Sequence, residues 1–433
     1  MKYLPIGKEL FIENRRKFVK ELKPGSIAIF NSNDIMPTNA DGTMPFRQNN
    51  DLFYLSGIDQ EETILVLFPD SKNSNQHEML FVKETNELIA IWEGQKLTKD
   101  QATEISGIHN IQWTKQFEPM LVQIMTEAEY VYLNSNEHSR AMKIVETRDD
   151  RFSKQLREQF PLSKYERSAP IMQALRTIKS AREIELINKA CEITEKAFRR
   201  VLGFVKPGVA EYEIEAEFIH EFIRNRSRGP AYQPIIASGF DSCILHYVEN
   251  HKICKAGDII LMDVAAEYAN YASDMTRVIP VNGKFTKRQK DVYNAVLRIM
   301  REATKMLMPG NTLTEYNKEV NRITEFELIG LGLLDKIQLK NQDPANPLVR
   351  KFFMHGASHA LGLDVHDVYD KYDIFKEGMV FTCEPGIYIR EESLGVRLEN
   401  NILITSKEPM DLMKNIPIEA EEIEDLMDSK KYK

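Results

Sequence analysis

The spacing of apolar residues changes between residues 165 and 176, and this change constrains the fold more than any other feature. Before it, short apolar runs are separated by turn-forming residues: SIAIF, LFYLSG, TILVLF, MLFVK and YVYLN. After it, an amphipathic helical pattern begins behind Ser180 and ends before the KPG at 206–208. A chain of 433 residues is also too long for one ordinary core. We therefore predict an α/β domain over 1–170 and an α+β domain over 171–433.

Composition and charge exclude several classes of protein. The chain is 42% hydrophobic and 28% charged, which is typical of a soluble globular protein. Its net charge of −8 argues against nucleic acid as a partner. We find no apolar run near the ~20 residues of a membrane span and no signal-peptide pattern. Since the four cysteines form no CxxC pair, we expect reduced thiols and a cytoplasmic protein. The acidic tail over 419–433 predicts a surface helix.

The segment 257–281 predicts a hairpin that carries two aspartates. We place its turn at Tyr268–Ala269, so that Asp263 and Asp274 lie opposite each other by symmetry. Opposed residues share one face of a sheet. Two carboxylates side by side destabilise the sheet unless a cation lies between them.

The segment 379–405 repeats this arrangement with two glutamates. A turn near Glu391–Glu392 places Glu384 opposite Glu399. Both glutamates lie within apolar strands, where a carboxylate without a partner is unfavourable. The second hairpin therefore predicts another pair of buried carboxylates.

Three of the nine histidines, His355, His359 and His366, fall within twelve residues, among small side chains. Together with the two carboxylate pairs, they predict a site for divalent metal ions. Carboxylate and imidazole ligands suit Mn²⁺, Co²⁺, Fe²⁺ or Zn²⁺ better than a metal that selects thiolates.

Each residue alone also fits a role without metal. Asp263 can form a turn at a strand end, and Glu399 can pair with a cross-strand cation. His355 can donate to a backbone carbonyl, and His366 can cap a turn. The two hairpins together favour the metal site, because two independent pairs of opposed carboxylates are improbable without a cation to bind.

Six motifs resemble those of the Xaa-Pro aminopeptidases, or aminopeptidases P, of the pita-bread metallopeptidase superfamily. The resemblance covers nearly the whole chain, and its order along the sequence makes it specific. The motifs are FRQNNDLFYLSG (46–57), ILHYVEN (244–250), MDVAAEYANYASDMTR (262–277), HGASHALGLDVHD (355–367), CEPGIYI (383–389) and GVRLENN (395–401). The resemblance implies a pita-bread catalytic domain behind an N-terminal α/β domain.

The resemblance also implies five ligands for two divalent ions, which we expect to be Mn²⁺. Asp274 and Glu399 would bridge both ions. Asp263 would hold one ion, and His359 with Glu384 would hold the other.

Further site residues follow from the same motifs. His246, His355 and His366 match histidines on the substrate side. Arg397 and Tyr388 match positions that hold the ligand carboxylates. We expect Glu384 to move a proton as well as to bind metal.

The implied activity is hydrolysis of the bond between an N-terminal residue and proline, by a metal-activated water. Prolidase, which cleaves Xaa-Pro dipeptides, remains an alternative, and a binding scaffold without activity is a more distant one. The resemblance further implies a homodimer or homotetramer in which the N-terminal domain of one subunit caps the site of another. Arg47, Asp51 and Trp92 are candidates for that contact.

Overall fold

The computed structural model describes residues 2–142 and 144–428. The chain divides into two compact units, of which the first ends at Arg176 and the second begins at Thr177. This boundary and the sequence-based one, after residue 170, both lie in the helix Ala169–Thr177. Among the described residues, no helix has the length and apolar character to cross a bilayer.

The described residues of the first unit form six strands and seven α-helices. The strands are β1 (Ser26–Asn31), β2 (Ile64–Leu67), β3 (Glu78–Val82), β4 (Asn110–Trp113), β5 (Tyr130–Leu133) and β6 (Lys164–Arg167). The helices are α1 (Glu9–Lys20), α2 (Asn50–Ser56), α3 (Glu87–Glu93), α4 (Lys99–Ser106), α5 (Phe117–Ile124), α6 (Arg148–Gln159) and α7 (Ala169–Thr177). The strands form one mixed sheet in the order β4-β3-β2-β1-β5-β6. β1 is parallel to β5 and antiparallel to β2, which confirms the predicted α/β class.

The core of this unit follows from alternation along the strands. Ile27 and Ile29 of β1 point to one face, and Ala28 and Phe30 point to the other, and all four are fully buried. On the first face the sheet packs against α5 and α6 through buried apolar side chains: Val66, Met79, Phe81, Val131, Phe117, Leu121, Ile124 and Leu156. A sheet covered on both faces explains the nearly continuous apolar runs in its strands.

In the described part of the second unit, the chain forms six α-helices and ten strands. The helices are α8 (Ala181–Phe204), α9 (Glu211–Arg224), α10 (Lys287–Lys305), α11 (Leu313–Gly330), α12 (Lys336–Lys340) and α13 (Ala420–Met427). The strands are β7 (Ile235–Ser238), β8 (Ile259–Asp263), β9 (Glu267–Tyr268), β10 (Tyr271–Ala272), β11 (Thr276–Pro280), β12 (Val380–Cys383), β13 (Gly386–Ile389), β14 (Leu394–Arg397), β15 (Asn400–Leu403) and β16 (Met410–Asp411). Of the predicted tail helix over 419–433, residues 429–433 lie outside the described residues.

The predicted long helix is confirmed as α8, and its first turn explains why it begins there. Ser180 caps the helix by accepting from the backbone N–H of Glu183, whose side chain accepts from the Ser180 backbone in return. The helix ends at Phe204, just before the predicted KPG stop.

The first hairpin has a register that differs from the predicted one. In the antiparallel pair β8 and β11, Asp263 lies opposite Thr276, not opposite Asp274. The turn consists of Ala269 and Asn270, both with positive φ. The register shift is two residues, an even number, so Asp263 and Asp274 still share one face as predicted.

The second hairpin has the predicted register. Cys383 pairs with Asn400 at the end of β12, and Gly386 pairs with Arg397 at the start of β13. Glu384 and Glu399 lie between these two pairs, and the same register places them opposite each other. The chain reverses at 390–393, where Ser393 adopts the left-handed conformation.

Candidate metal centre and active site

Three predicted ligands meet in the second unit. One ligand atom from each of Asp274, His359 and Glu399 lies within 4.8 Å of the other two. His359 Nε2 lies 3.4 Å from Asp274 Oδ2 and 3.6 Å from Glu384 Oε1, which adds a fourth member. The two hairpins carry the carboxylates, and the segment between α12 and β12 carries His359.

The hydrogen bonds of His359 leave one ring nitrogen for a metal ion. Its Nδ1 lies 3.0 Å from the carbonyl oxygen of Ala360, which can only accept, so Nδ1 carries the proton. A metal-binding histidine commonly has its second nitrogen held in this way. The Thr382 hydroxyl accepts from the backbone N–H of His359 and fixes the loop.

Burial makes the carboxylate cluster unfavourable by itself. Burial raises the pKa of Glu384 to about 7, against the opposing effect of His359 and Arg397. Burial, and then the charges of Asp274 and Glu384, raise the pKa of Glu399 well above its usual range. Burial also raises the pKa of Asp263, although Arg397 counteracts it. These directions mean that the site favours added positive charge.

The residues fit a divalent metal centre. Among the described residues, Asp263 Oδ1 and Glu399 Oε1 are buried without a hydrogen-bond donor. Buried polar atoms normally have a partner, and a carboxylate oxygen without one is costly. His359 Nε2 faces the same space, 3.4 Å from Asp274 Oδ2. Oxygen and imidazole donors of this kind suit Mn²⁺, Co²⁺, Fe²⁺ or Zn²⁺.

Arg397 is the cation that the structure places beside the ligands. Its Nη2 donates to Asp263 Oδ2 at 2.6 Å, and its Nη1 donates to Tyr388 Oη at 2.9 Å. Its Nε donates to the Thr276 hydroxyl at 3.0 Å. One guanidinium therefore fixes a predicted ligand, a tyrosine and a threonine at once.

His355 lies at the other end of this hydrogen-bond chain. Its Nε2 is 2.8 Å from Tyr388 Oη, and its Nδ1 is 2.8 Å from the carbonyl oxygen of Gly356. The carbonyl can only accept, so Nδ1 donates to it and Nε2 accepts from the tyrosine. Burial and then Arg397 lower the pKa of His355 to about 3, which agrees with a neutral ring.

The other two predicted histidines lie at the edge of the site. The ring of His366 is 4.3 Å from the ring of His359, in an edge-to-face arrangement. His246 lies in an exposed turn and contributes to the lowered pKa of His355. The structure thus brings all the predicted site residues of the second unit into one region.

Sequence reasoning missed three residues of the site. Asn401 accepts from the backbone N–H of Asp274 and donates to its carbonyl, at 3.0 and 2.7 Å. Burial and then the charges of three predicted ligands raise the pKa of Tyr232. Thr276 contacts two predicted site residues. Two of the three, Asn401 and Thr276, lie two residues from a predicted ligand, which is the one signal the sequence offered.

Comparison with known proteins identifies the family. Residues 185–406 match "Metallopeptidase family M24", and residues 11–132 match "Aminopeptidase P, N-terminal domain". The Xaa-Pro aminopeptidase of Escherichia coli is 35% identical over 438 residues, and the alignment covers 98% of both chains.

Solved structures give the same result. The aminopeptidase PepP of Pseudomonas aeruginosa has a TM-score of 0.90 at 28% identity, covering 99% of this chain and all of that one. Zinc-substituted E. coli aminopeptidase P, in complex with product, has a TM-score of 0.86 at 34% identity, covering 98% of this chain and 99% of the other. These matches confirm the predicted pita-bread fold class. The chain therefore belongs to the Xaa-Pro aminopeptidases of metallopeptidase family M24, a family of hydrolases that depend on divalent metal.

Proposed function

We propose that the protein removes the N-terminal residue from peptides that have proline in the second position. The observation that carries this proposal is the convergence of Asp274, His359 and Glu399 within 4.8 Å, inside a chain that belongs to the Xaa-Pro aminopeptidases. The full ligand set would be Asp263, Asp274, His359, Glu384 and Glu399, which would hold two ions, most suitably Mn²⁺. Asp274 and Glu399 would bridge the ions. Divalent ions in such a site lower the pKa of a water and polarise the substrate carbonyl.

Glu384 is placed to transfer a proton. Its Oε1 faces the proposed ligand His359, while its Oε2 lies 3.8 Å from Nδ1 of His355, one of the predicted substrate-side histidines. One oxygen is therefore directed to the ligand cluster and the other towards the proposed substrate pocket. In that position Glu384 would take the proton of the attacking water and give it to the proline nitrogen that leaves.

The histidines would stabilise charge on the substrate carbonyl as the bond breaks. Both ring nitrogens of His355 are engaged, by Gly356 and Tyr388, so His355 serves best as a neutral, oriented wall of the pocket. We assign the role of donor to the carbonyl oxygen to His366, whose ring lies 4.3 Å from the ring of the proposed ligand His359. Arg397 and Tyr388 would act by holding Asp263 and His355 in place.

The alternative of a prolidase is not favoured, because the relatives described above are Xaa-Pro aminopeptidases. The deciding experiment uses protein that is stripped of metal and reloaded with Mn²⁺. We expect it to release the first residue of an Xaa-Pro-Yaa tripeptide and to act poorly on an Xaa-Pro dipeptide. Stripped protein is the control. Preference for the dipeptide would make the protein a prolidase, and cleavage of neither would favour a binding scaffold.

A homodimer or homotetramer and a cytoplasmic location are further parts of the proposal. Trp92 is 84% exposed on α3, next to the exposed Ile91 and Leu88, as expected for a surface that contacts another copy. Asp51, a second candidate for that contact, pairs with Arg176 at 2.9 Å within its own unit. Four unpaired cysteines are consistent with a reducing compartment. Light scattering of the purified protein tests the oligomer.

A further inference from the structure

Thr276 is the first residue of β11 and lies opposite Asp263. Its side chain is fully buried. The hydroxyl lies 2.7 Å from Glu399 Oε2 and 3.0 Å from Arg397 Nε. These two hydrogen bonds, to a carboxylate and to a guanidinium, fix the orientation of the buried hydroxyl.

The direction of both hydrogen bonds follows from chemistry. The guanidinium N–H can only donate, so the hydroxyl accepts from Arg397. Its single proton then goes to Glu399 Oε2. Arg397 therefore acts on Glu399 through Thr276. The guanidinium polarises the hydroxyl, and the hydroxyl donates to the carboxylate.

The arrangement leaves Glu399 able to bind metal. Oε2 retains a second lone pair, and Oε1 has no donor among the described residues. Asp263, in contrast, receives Arg397 directly through Nη2. One guanidinium thus orients two predicted ligands, one by contact and one through Thr276.

We propose that Thr276 is a positioning residue of the metal centre, which sets the orientation of Glu399 and couples it to Arg397. This inference rests on the proposed metal-dependent function. Groups that hold metal ligands are typically worth about 10–100-fold in metal affinity. A threonine that served only to fill space would contribute through its methyl group and not through its hydroxyl.

The experiment compares three variants. Thr276→Val keeps the shape and removes the hydroxyl, and Thr276→Ser keeps the hydroxyl and removes the methyl group. Thr324→Val is the matched control, because Thr324 is equally buried but its hydroxyl donates to the Val320 carbonyl within α11. Metal-stripped proteins are titrated with Mn²⁺ by calorimetry, and the absorption spectrum of Co²⁺-loaded protein is recorded.

We expect Thr276→Val to bind Mn²⁺ about 10–100-fold more weakly, with an altered Co²⁺ spectrum. Thr276→Ser and Thr324→Val are expected to behave like the wild type. Wild-type affinity in Thr276→Val, or equal losses in the Ser and Val variants, would overturn the role of the hydroxyl alone. Absence of Mn²⁺ binding in the wild type would overturn the proposed function as well. If Thr276→Val does not fold, Thr276→Ala, which cannot clash, replaces it.

Discussion

Each of the two units buries carboxylates, but the groups that surround them differ. In the first unit, Asp149 is 6% exposed and accepts from three side-chain amides. Asn31, Asn134 and Asn49 donate to it at 2.9, 3.2 and 3.4 Å. In the second unit, by contrast, the buried carboxylates converge on one another and on Nε2 of His359.

The groups around a buried carboxylate therefore distinguish a structural residue from a candidate metal ligand. Fixed amide donors satisfy both carboxylate oxygens of Asp149, so these oxygens have hydrogen-bond partners without an added ion. The cluster of Asp263, Asp274, Glu384 and Glu399 has one guanidinium for four carboxylates, and two of its oxygens have no donor among the described residues. Burial alone therefore does not identify a metal ligand, whereas burial with converging acceptors does.

The largest expected effect is a loss of activity, which we expect for substitutions in the carboxylate cluster of the second unit but not for a substitution of Asp149. Asp274→Asn and Glu399→Gln each remove a proposed bridging ligand, and we expect kcat/KM to fall by at least about 10³-fold, since the metal supplies several kcal/mol of transition-state stabilisation. Asp149→Asn, the matched control, should retain activity. Circular dichroism checks that each variant is folded. Turnover retained in either ligand variant would contradict the assignment of that ligand.

The second prediction concerns pH and Asp149. Burial, opposed by the Asn31 amide, raises its pKa to about 7, whereas an unfolded aspartate titrates near 3.9. The folded state therefore binds more protons between these values, and its stability falls as pH rises from about 4 to 7. Ionisation of Asp149 lowers the free energy of unfolding by up to about 4 kcal/mol in total, of which roughly 2–3 kcal/mol is lost between pH 5 and 8.

Asp149→Asn should flatten this pH dependence, because the amide does not ionise. The measurement is the free energy of unfolding of the full chain in urea at pH 5 and pH 8. Asp100→Asn, on the exposed surface of α4, is the control. An unchanged pH slope in Asp149→Asn would show that the carboxylate is better solvated than its burial indicates.

The third prediction uses the metal itself. Mn²⁺ at about 100 times its Kd should stabilise the wild type by about 2.7 kcal/mol, because it binds the folded state and not the unfolded one. A chelator should reverse the shift in the thermal unfolding midpoint. Asp149→Asn should respond like the wild type, and Asp274→Asn should respond much less. Equal stabilisation of Asp274→Asn would place the bound ion elsewhere.

The two hairpins show how far the sequence could predict the site. The second reverses near Glu391–Glu392, and the symmetry of the strands correctly placed Glu384 opposite Glu399. In the first, the reversal uses Ala269 at positive φ, a conformation that alanine rarely adopts. Asn270, which tolerates the left-handed conformation, was a local signal for this turn that the symmetry argument did not use. The predicted register was therefore wrong by two residues, while the shared face was right.

Contacts between distant segments were beyond sequence patterns. Thr276 and Glu399 are 123 positions apart, and Asp263 and Arg397 are 134 apart. Spacing indicated which carboxylates pair within a hairpin, but the arrangement of one hairpin against the other depends on the packing of the whole unit. Asp149 was missed for the same reason, because its three amide donors come from separate segments of the first unit.

The smallest expected effect concerns the turns that set the two registers. Ser393 is exposed at φ 52°, where glycine carries no steric cost, so Ser393→Gly should stabilise the second hairpin by about 0.5–1 kcal/mol. Ala269 has the same φ but a fully buried methyl group, whose loss costs about 0.8 kcal/mol and offsets the relief of strain. Ala269→Gly should therefore be nearly neutral. Urea midpoints of the two variants test this difference. If Ala269→Gly gained more stability than Ser393→Gly, strain would outweigh burial in the turn of the first hairpin, and that turn would be held in place by the packing of its neighbours against its own preference.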